Sequence, residues 1–482
     1  MIEVRRQPLA LRPNPSRVLV RPFLPPPDSP RTVRILSRIL ALSDEEVEAG
    51  LNEVLSEFGD RHQKIRQIFL ERHEQISAII PSDRPVSESR RLLIGSYFTN
   101  EYSFESAALF NPSIVPAPDQ TGVPEDSLRF FMSLRATGEG HISSITFRSG
   151  LAAADGTVSL DPHARFVSEP RPIPHAEYDC ELFGRKLAEL GQDNHTSRPI
   201  LAALKKKFTF EHLREAVAAH RRQFPGQEHI NNCQHIIHLA RSNYDVIFDA
   251  EGDISERIIF PFSPSESNGI EDARFTRFVD DDGTVTYVAT YTAYDGQVIL
   301  PQLLETSDFL HFATSTLNGP AVQNKGMALF PRRINGHYVM LSRQDNENIQ
   351  LMYSDHLHFW YESKIIVRPK EAWEFVQMGN CGPPVETEKG WLVLTHGVGP
   401  MRKYCIGAVL LDLADPSKVI GRLSYPLIKP EGDEREGYVP NVVYTCGSLL
   451  HNGRLIIPYA LSDSATTFAS VELSELLNAM ER

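Results

Sequence analysis

Cysteine is scarce in this 482-residue chain: Cys180, Cys233, Cys381, Cys405 and Cys446 are odd in number, widely spread and without a C-x-x-C pair. That pattern argues against a disulfide framework and suits reduced thiols in a cytoplasm. No apolar run reaches the roughly 18 residues a bilayer demands, so no membrane partner is expected. The opening Met1-Ile-Glu-Val-Arg-Arg leads into Pro-rich, Arg-rich sequence and not into an apolar stretch with a cleavage site, so no secretory signal is expected. An excess of positive charge is also missing. Asp and Glu number 62 against 49 Lys and Arg, a formal net charge of −13, which speaks against a general nucleic-acid binder. There is no phosphate-cradling Gly-rich loop, no G-x-S-x-G and no H-E-x-x-H. No cofactor and no metal are therefore expected. His229, Cys233, His235 and His238 share a helical stretch, but no supporting carboxylate or second pair accompanies them, so packing is the expected role.

What is present is an ordinary globular composition, 41% hydrophobic and 23% charged. The length exceeds what one core usually supports, so a large domain with an appended segment is expected. Residues 1–40 hold eight Arg against Glu3 and Asp28, with the run Pro22-Phe-Leu-Pro-Pro-Pro-Asp-Ser-Pro30, and read as an extended arm, solvated or docking, with a nucleic-acid tail as the lesser reading. Ser43 and Glu46 fit a capping box, and Val47, Leu51, Val54, Leu55 and Phe58 recur at helical spacing. A second helical stretch spans about 180–241, with Thr209 as a cap.

The rest reads as strands. Turn glycines open short alternating segments at Asp155-Gly156, Asp282-Gly283, Asn335-Gly336, Lys389-Gly390 and Asn452-Gly453. Asn-Gly and Asp-Gly suit hairpins because a type I′ turn needs positive φ at both central residues. The last four glycines follow one another at intervals of 53, 54 and 63 residues, about the length of a four-stranded propeller blade. The expected fold is mainly β: a five-bladed β-propeller with an N-terminal helical extension and a helical insert. The expected domains are an arm and extension over 1–92, a propeller over 93–470 with the insert at about 180–241, and a tail over 471–482.

Two clusters can carry chemistry. In the first, Glu271, Asp272 and Arg274 face Tyr294 and Asp295 across the hairpin around Gly283. Cleaving a glycosidic bond needs a carboxylic acid to protonate the leaving oxygen and fixed polar groups to grip the sugar. Asp295, behind the aromatic Tyr291 and Tyr294, has the apolar surroundings that keep a carboxyl protonated. The competing reading is a plain turn beside a surface ion pair. In the second cluster, Lys325 and Arg343 bracket the hairpin around Gly336 and suit an oxyanion. His396 and Asp463 stand at strand ends.

These residues belong to an ordered series that resembles glycoside hydrolase family 130, the mannoside phosphorylases and mannosidases. The series comprises Gly269–Arg274 (G-x-E-D-x-R), Thr292–Gly296 (T-A-Y-D-G), Asn324–Pro331, Arg343, Ser354–Trp360, Gly379–Val398, Tyr438–Val443 and Cys446-Gly447, covering about residues 95 to 465. The resemblance implies a five-bladed propeller and Asp295 as general acid, delivering its proton through a sugar hydroxyl with inversion. It also implies phosphate contact by Arg343 with Lys325 nearby, and a sugar pocket lined by Asn111, Glu271, Asp272, Arg274, Tyr294, His396 and Asp463. The chain departs from the family pattern at Ala273, Gly326 and Gln377–Met378, the last where phosphorylases carry a Lys. Arg402 is the cation available to compensate.

The expected activity is an inverting phosphorylase on β-mannosides, with inorganic phosphate as co-substrate and α-mannose 1-phosphate as product. A β-mannosidase is the alternative, with Glu271, Glu139 and Glu386 as candidate bases. A non-catalytic sugar-binding propeller is the alternative of another class. The partner expected is an oligosaccharide or mannoside, and the helical arm and insert are expected to cover the pocket or to support a homo-oligomer.

Overall fold

The computed structural model describes residues 2–26, 29–80, 85–173 and 177–480. These residues divide into two compact units. One comprises residues 14–106 with 164–168, and the other the remainder.

The smaller unit is helical. Helices Pro30–Leu40, Asp44–Phe58, Ile65–Ile76 and Glu88–Tyr97 accompany a ribbon of Val18–Pro22 paired with Thr99–Ser103. The capping box at Ser43 is closed on both sides: its hydroxyl accepts from the Glu46 amide at 3.2 Å, and its own amide donates to the Glu46 carboxylate at 2.7 Å. Leu36, Ile39, Val47, Ile76, Leu93, Ile94 and Phe98 form the core of this unit.

The larger unit is mainly β, with five antiparallel sheets of four or more strands among the described residues. The first holds Ala108–Pro116, Leu128–Thr137 and Ser143–Ala152, with short strands at its edges. The second holds Ile270–Val279, Val285–Tyr294, Ile299–Thr306 and His311–Thr316, extended by Tyr244–Ile247 and Arg171–Ile173. The third holds Ala328–Leu329, Tyr338–Ser342, Ile349–Ser354 and Ser363–Val367. The fourth holds Gln377–Asn380, Gly390–Val398, Tyr404–Leu411 and Val419–Arg422. The fifth holds Val443–Tyr444, Arg454–Leu461 and Ala465–Glu472, and takes Arg5–Leu11 from the start of the chain as its outer strand.

Most strands pair with their sequence neighbours, as short hairpins dictate. At Asn335-Gly336 and Asn452-Gly453 both residues have positive φ (52° and 82°, 44° and 75°), the type I′ geometry that matches strand twist. Each sheet is also hydrogen-bonded to the next. The Phe275 amide donates to Ser113, that of Val279 to Pro331, that of Met378 to Glu347 and that of Tyr404 to Asn441. The Cys446 amide closes the series by donating to Pro112, so the fifth sheet returns to the first. Apolar side chains fill the spaces between neighbouring sheets. Between the third and fourth, Phe330 meets Trp391 edge-on with ring centroids 5.1 Å apart, a contact that contributes about 0.5–1.5 kcal/mol beyond simple burial.

Helices Cys180–Glu189, Ser197–Ala202, Phe210–Gln223 and Gln227–Arg241 form a cluster with its own core of Phe183, Leu187, Ile200, Leu213, Val217, Ile236 and Leu239. Lys186 and Glu189 fasten it to the second sheet, bonding the Leu317 carbonyl at 2.7 Å and the Gly319 amide at 2.7 Å.

The expected boundaries need correction. Of the solvated and docking readings, residues 5–11 follow the second and join the larger unit: their backbone pairs with Ala465–Glu472, Gln7 donates to the Gly156 carbonyl at 2.8 Å and Arg6 to Glu434 at 3.1 Å. Local composition carried no sign of this, because the partner lies at the other end of the chain. Within the Pro-rich run, Pro27 and Asp28 lie outside the described residues, while Pro30 opens a helix. The expected tail over 471–482 is ordered in its described residues. Leu473–Asn478 is helical and Leu476 is fully buried, with Glu481 and Arg482 outside the described residues.

Candidate active site

One cavity of about 220 Å³ gathers residues from all five sheets of the larger unit: Asn111, Arg135, Asp272, Lys325, Arg343, His396, Arg402, Tyr404, Val439, Val442, Tyr444 and Asp463.

Two matched β-bulges build its acidic side. In the first sheet Phe110 pairs with Arg135 and Ser113 with Ser133, so Asn111 and Pro112 form a bulge. In the second, Glu271 pairs with Thr292 and Arg274 with Thr290, so Asp272 and Ala273 do the same. A bulge re-aims a side chain that the strand would otherwise point along its regular face. Both Asn111 (φ 48°) and Asp272 (φ 54°) take the left-handed conformation there, and the Asn111 amide donates to Asp272 Oδ1 at 2.7 Å. Asn and Asp tolerate that conformation better than other non-glycine residues.

Around Asp272 the charges interlock. Arg135 donates to Glu271 Oε1 at 2.9 Å and to Asp272 Oδ1 at 3.4 Å, and Lys325 donates to Glu271 Oε2 at 3.3 Å. Arg274, nearly inaccessible, donates to the Asp272 carbonyl at 3.0 Å and to the Tyr444 hydroxyl at 2.8 Å. Burial alone would raise the pKa of Asp272. The charges of Arg135, Arg274 and Lys325 and the Asn111 hydrogen bond outweigh it, leaving the pKa lowered to about 2. Asp463 lies in the same cavity and behaves oppositely. Burial pushes its pKa up to about 6, the Asp272 charge adds to the rise, and Arg135, Lys325 and Arg402 only partly offset it. Two carboxyls that share a site thus have their pKa values pushed apart in opposite directions.

The cationic side is set by Arg343 and His396, both buried. Arg343 Nη1 lies 2.9 Å from His396 Nε2. A guanidinium can only donate, so Nε2 accepts and the ring is neutral with its hydrogen on Nδ1. Burial, then the charges of Arg343 and Arg274, hold the imidazole well below its usual pKa, in agreement. Its ring stacks on Tyr404, with centroids 5.9 Å apart and planes 14° apart. Gly379 sits so close that a β-carbon there would lie 2.5 Å from Arg343 Cδ and 2.6 Å from His396 Cε1. Arg343 Nε and His396 Nδ1 are buried with no hydrogen-bond partner among the described residues.

The structure therefore brings Asn111, Asp272, Lys325, Arg343, His396 and Asp463 to one cavity, with Glu271 and Arg274 directly behind. It does not bring Tyr294 and Asp295 into that lining. Asp295 Oδ1 accepts the amides of Gln297 at 2.8 Å and Val298 at 2.6 Å, forming the turn after Val285–Tyr294. The aromatic shelter expected for it is absent: Tyr291 donates to the buried Glu266 at 2.7 Å, and Tyr294 donates to the Gly296 carbonyl at 2.9 Å. Of the candidate bases, Glu271 is paired with two cations, Glu386 is held by Arg332 at 2.6 and 2.9 Å, and Glu139 lies exposed in a hairpin. Sequence reasoning missed Arg135, Tyr404 and Tyr444. No local signal singled out Arg135, since its strand Leu128–Thr137 also carries Arg129.

Among the described residues no helix is long and apolar enough to cross a membrane, and no His, Cys, Asp or Glu cluster suits a metal ion.

The family model for β-1,4-mannooligosaccharide phosphorylase matches residues 226–482. A 1,2-β-oligomannan phosphorylase from a Thermoanaerobacter species is 42% identical over 155 residues, a match spanning 32% of this chain and about half (52%) of that protein. A β-1,2-mannobiose phosphorylase from Listeria innocua is 31% identical over 258 residues, covering 51% of this chain and 68% of that one. Among solved structures, a β-1,2-mannobiose phosphorylase from Listeria innocua in complex with β-1,2-mannobiose aligns over 78% of this chain and 92% of its own, with 21% identity and a TM-score of 0.46.

Proposed function

The chain belongs to glycoside hydrolase family 130, and on that premise we propose that it is an inverting phosphorylase of β-mannosides. The observation that carries this is the charge of the cavity lining. Four cations, Arg135, Lys325, Arg343 and Arg402, stand against two carboxylates, Asp272 and Asp463. That surplus suits a phosphate dianion entering beside a neutral sugar. The relatives described above are phosphorylases of β-1,2-linked mannosides, and the family model is described by β-1,4-linked ones.

In the proposed reaction the sugar lies against Asn111, Asp272 and Asp463, and phosphate lies against Arg343, His396 and Lys325. A phosphate oxygen attacks the anomeric carbon from the face opposite the leaving group. The glycosidic C–O bond breaks, the leaving oxygen takes a proton, and α-mannose 1-phosphate results. Neutral His396, with its hydrogen on Nδ1, is part of this wall.

Asp295 is the proposed proton donor, on the family resemblance. A donor that works through a sugar hydroxyl has no need to touch the glycosidic oxygen, and the turn engages only its Oδ1. Asp463 is the rival donor, favoured by its place in the cavity and its raised pKa. Aryl β-mannosides with good leaving groups distinguish the two. Replacing the true donor by Asn lowers turnover of a poor leaving group roughly 10²–10⁴-fold while largely sparing the activated substrate.

The five sheets are proposed to be the blades of a propeller. Their cyclic hydrogen bonding, their common cavity and the closure of the fifth sheet by Arg5–Leu11 support that arrangement. A reducing compartment is proposed from the five free cysteines.

The deciding experiment is incubation with β-1,2- and β-1,4-linked manno-oligosaccharides with and without phosphate. Phosphate-dependent release of mannose 1-phosphate is expected. Free mannose without phosphate would replace this reading by a β-mannosidase, and binding without turnover would leave a sugar-binding module.

A further inference from the structure

Two hairpins of the larger unit share an unusual backbone. In the first sheet the chain turns through Gly138–Ile142: the Gly138 amide donates to the Ile142 carbonyl at 3.1 Å, and Gly140 and His141 have φ 68° and 61°. In the fourth it turns through Gly399–Lys403: the Gly399 amide donates to the Lys403 carbonyl at 3.1 Å, and Met401 and Arg402 both have φ 56°. The opening glycines match closely, at φ −112° and ψ −156° against φ −114° and ψ −157°. The difference lies at the first left-handed position, where one hairpin has glycine and the other has Met401. A β-carbon strains that conformation. Met401 is 92% exposed, so packing of its own side chain does not explain it. Retained strain of this kind clusters where a neighbouring group must be aimed at a ligand. The neighbour is Arg402, which lines the cavity.

The other cations there are engaged. Arg135 is held by Glu271 and Asp272, Lys325 by Glu271, and Arg343 by the His396 ring. Arg402 has no salt bridge or hydrogen bond to any described residue, although its charge is felt by Asp463. Among the described residues, the other cations that line the cavity are Arg135, Lys325 and Arg343. Gln377, on the strand beside Gly390–Val398, is neutral and donates its amide to the Tyr404 hydroxyl at 3.3 Å.

We infer that Arg402 is a phosphate ligand, held ready by the strained Met401–Arg402 turn to close on an oxyanion seated at Arg343 and Lys325. This rests on the phosphorylase reading and adds to it the residue that supplies the remaining cation of the site. Guanidinium suits the task because its fork can grip two phosphate oxygens at once.

The test is calorimetric titration of the full chain with inorganic phosphate, together with separate KM values for phosphate and mannoside. Arg402→Ala is expected to raise the phosphate Kd roughly ten- to hundredfold, the loss of one charged hydrogen-bonding partner. Its phosphate KM should rise with the Kd and its mannoside KM far less, and Arg402→Lys should recover part of the loss. Met401→Gly, which keeps the cation but frees the turn, should weaken phosphate by a smaller factor. A wild-type Kd in Arg402→Ala, or an equal rise in both KM values, overturns the inference and leaves the phosphorylase reading standing. A wild-type protein that neither binds phosphate nor needs it overturns both.

Discussion

Asp295 and Asp463 occupy the same kind of place, the turn of an antiparallel hairpin, and their surroundings differ in origin. Asp295 is satisfied by its own loop, since the amides two and three residues on donate to it. Asp463 takes its character from residues hundreds of positions away: burial in the shared cavity and the Asp272 charge raise it, and Arg135 and Lys325 restrain it. A turn carboxylate built locally behaves alike in any fold. One placed in an assembled cavity has a protonation state that belongs to the whole molecule.

The largest expected effect comes from dismantling that assembly. Asp272→Ala leaves the nearly buried Arg274 and its neighbour Arg135 without their shared carboxylate, and removing one partner of a buried ion pair costs about 3–5 kcal/mol. Urea denaturation should show that loss, and the acid behaviour of Asp463 should change with it. Gly379→Ala comes next. Its β-carbon must displace Arg343 and His396, an overpacking of about 1–3 kcal/mol, and phosphate-dependent turnover should fall while the strands remain folded by circular dichroism.

Asp463 then supplies a pH test with a definite sign. Its folded pKa, about 6, lies above the ordinary 3.8. The bound proton therefore contributes stability that is complete below the unfolded pKa and is lost as pH rises through about 6. Asp463→Asn removes the titration. Relative to wild type it should gain on the order of 1–2 kcal/mol at pH 8 compared with pH 4, a range discounted for the partial exposure of the group. Parallel melting curves at the two pH values would refute it. The smallest effect is expected at Asp295→Asn. The amide oxygen of Asn can accept the same two main-chain bonds, so stability should change by less than about 0.5 kcal/mol while turnover of poor leaving groups drops. A large loss of stability would mean that the turn depends on charge.

Much of the fold was legible before any coordinates, for identifiable reasons. Asn335-Gly336 and Asn452-Gly453 are type I′ turns because few other residues adopt positive φ twice in succession. Ser43 and Glu46 announce a helix start because the cap is a contact between residues three apart. Arg5–Leu11 was not legible as a strand, since its partner strand lies more than 450 residues downstream. Of the site, Lys325, Arg343, His396 and Asp463 stood out at strand ends beside loops. Arg135 and Tyr444 did not, because nothing local marks an inward-facing position on a strand whose neighbouring sheets are unknown.

The sequence by itself determined where the chain turns, which segments are helical and which family it belongs to, because turns, caps and ordered motifs are short-range properties of residue type. Tertiary structure alone decided that the bulges at Asn111 and Asp272 meet, that His396 is neutral beside Arg343, and that Asp463 carries a raised pKa. Electrostatic energy depends on distance in space and on exclusion of water, and neither is written in the spacing of residues along a chain.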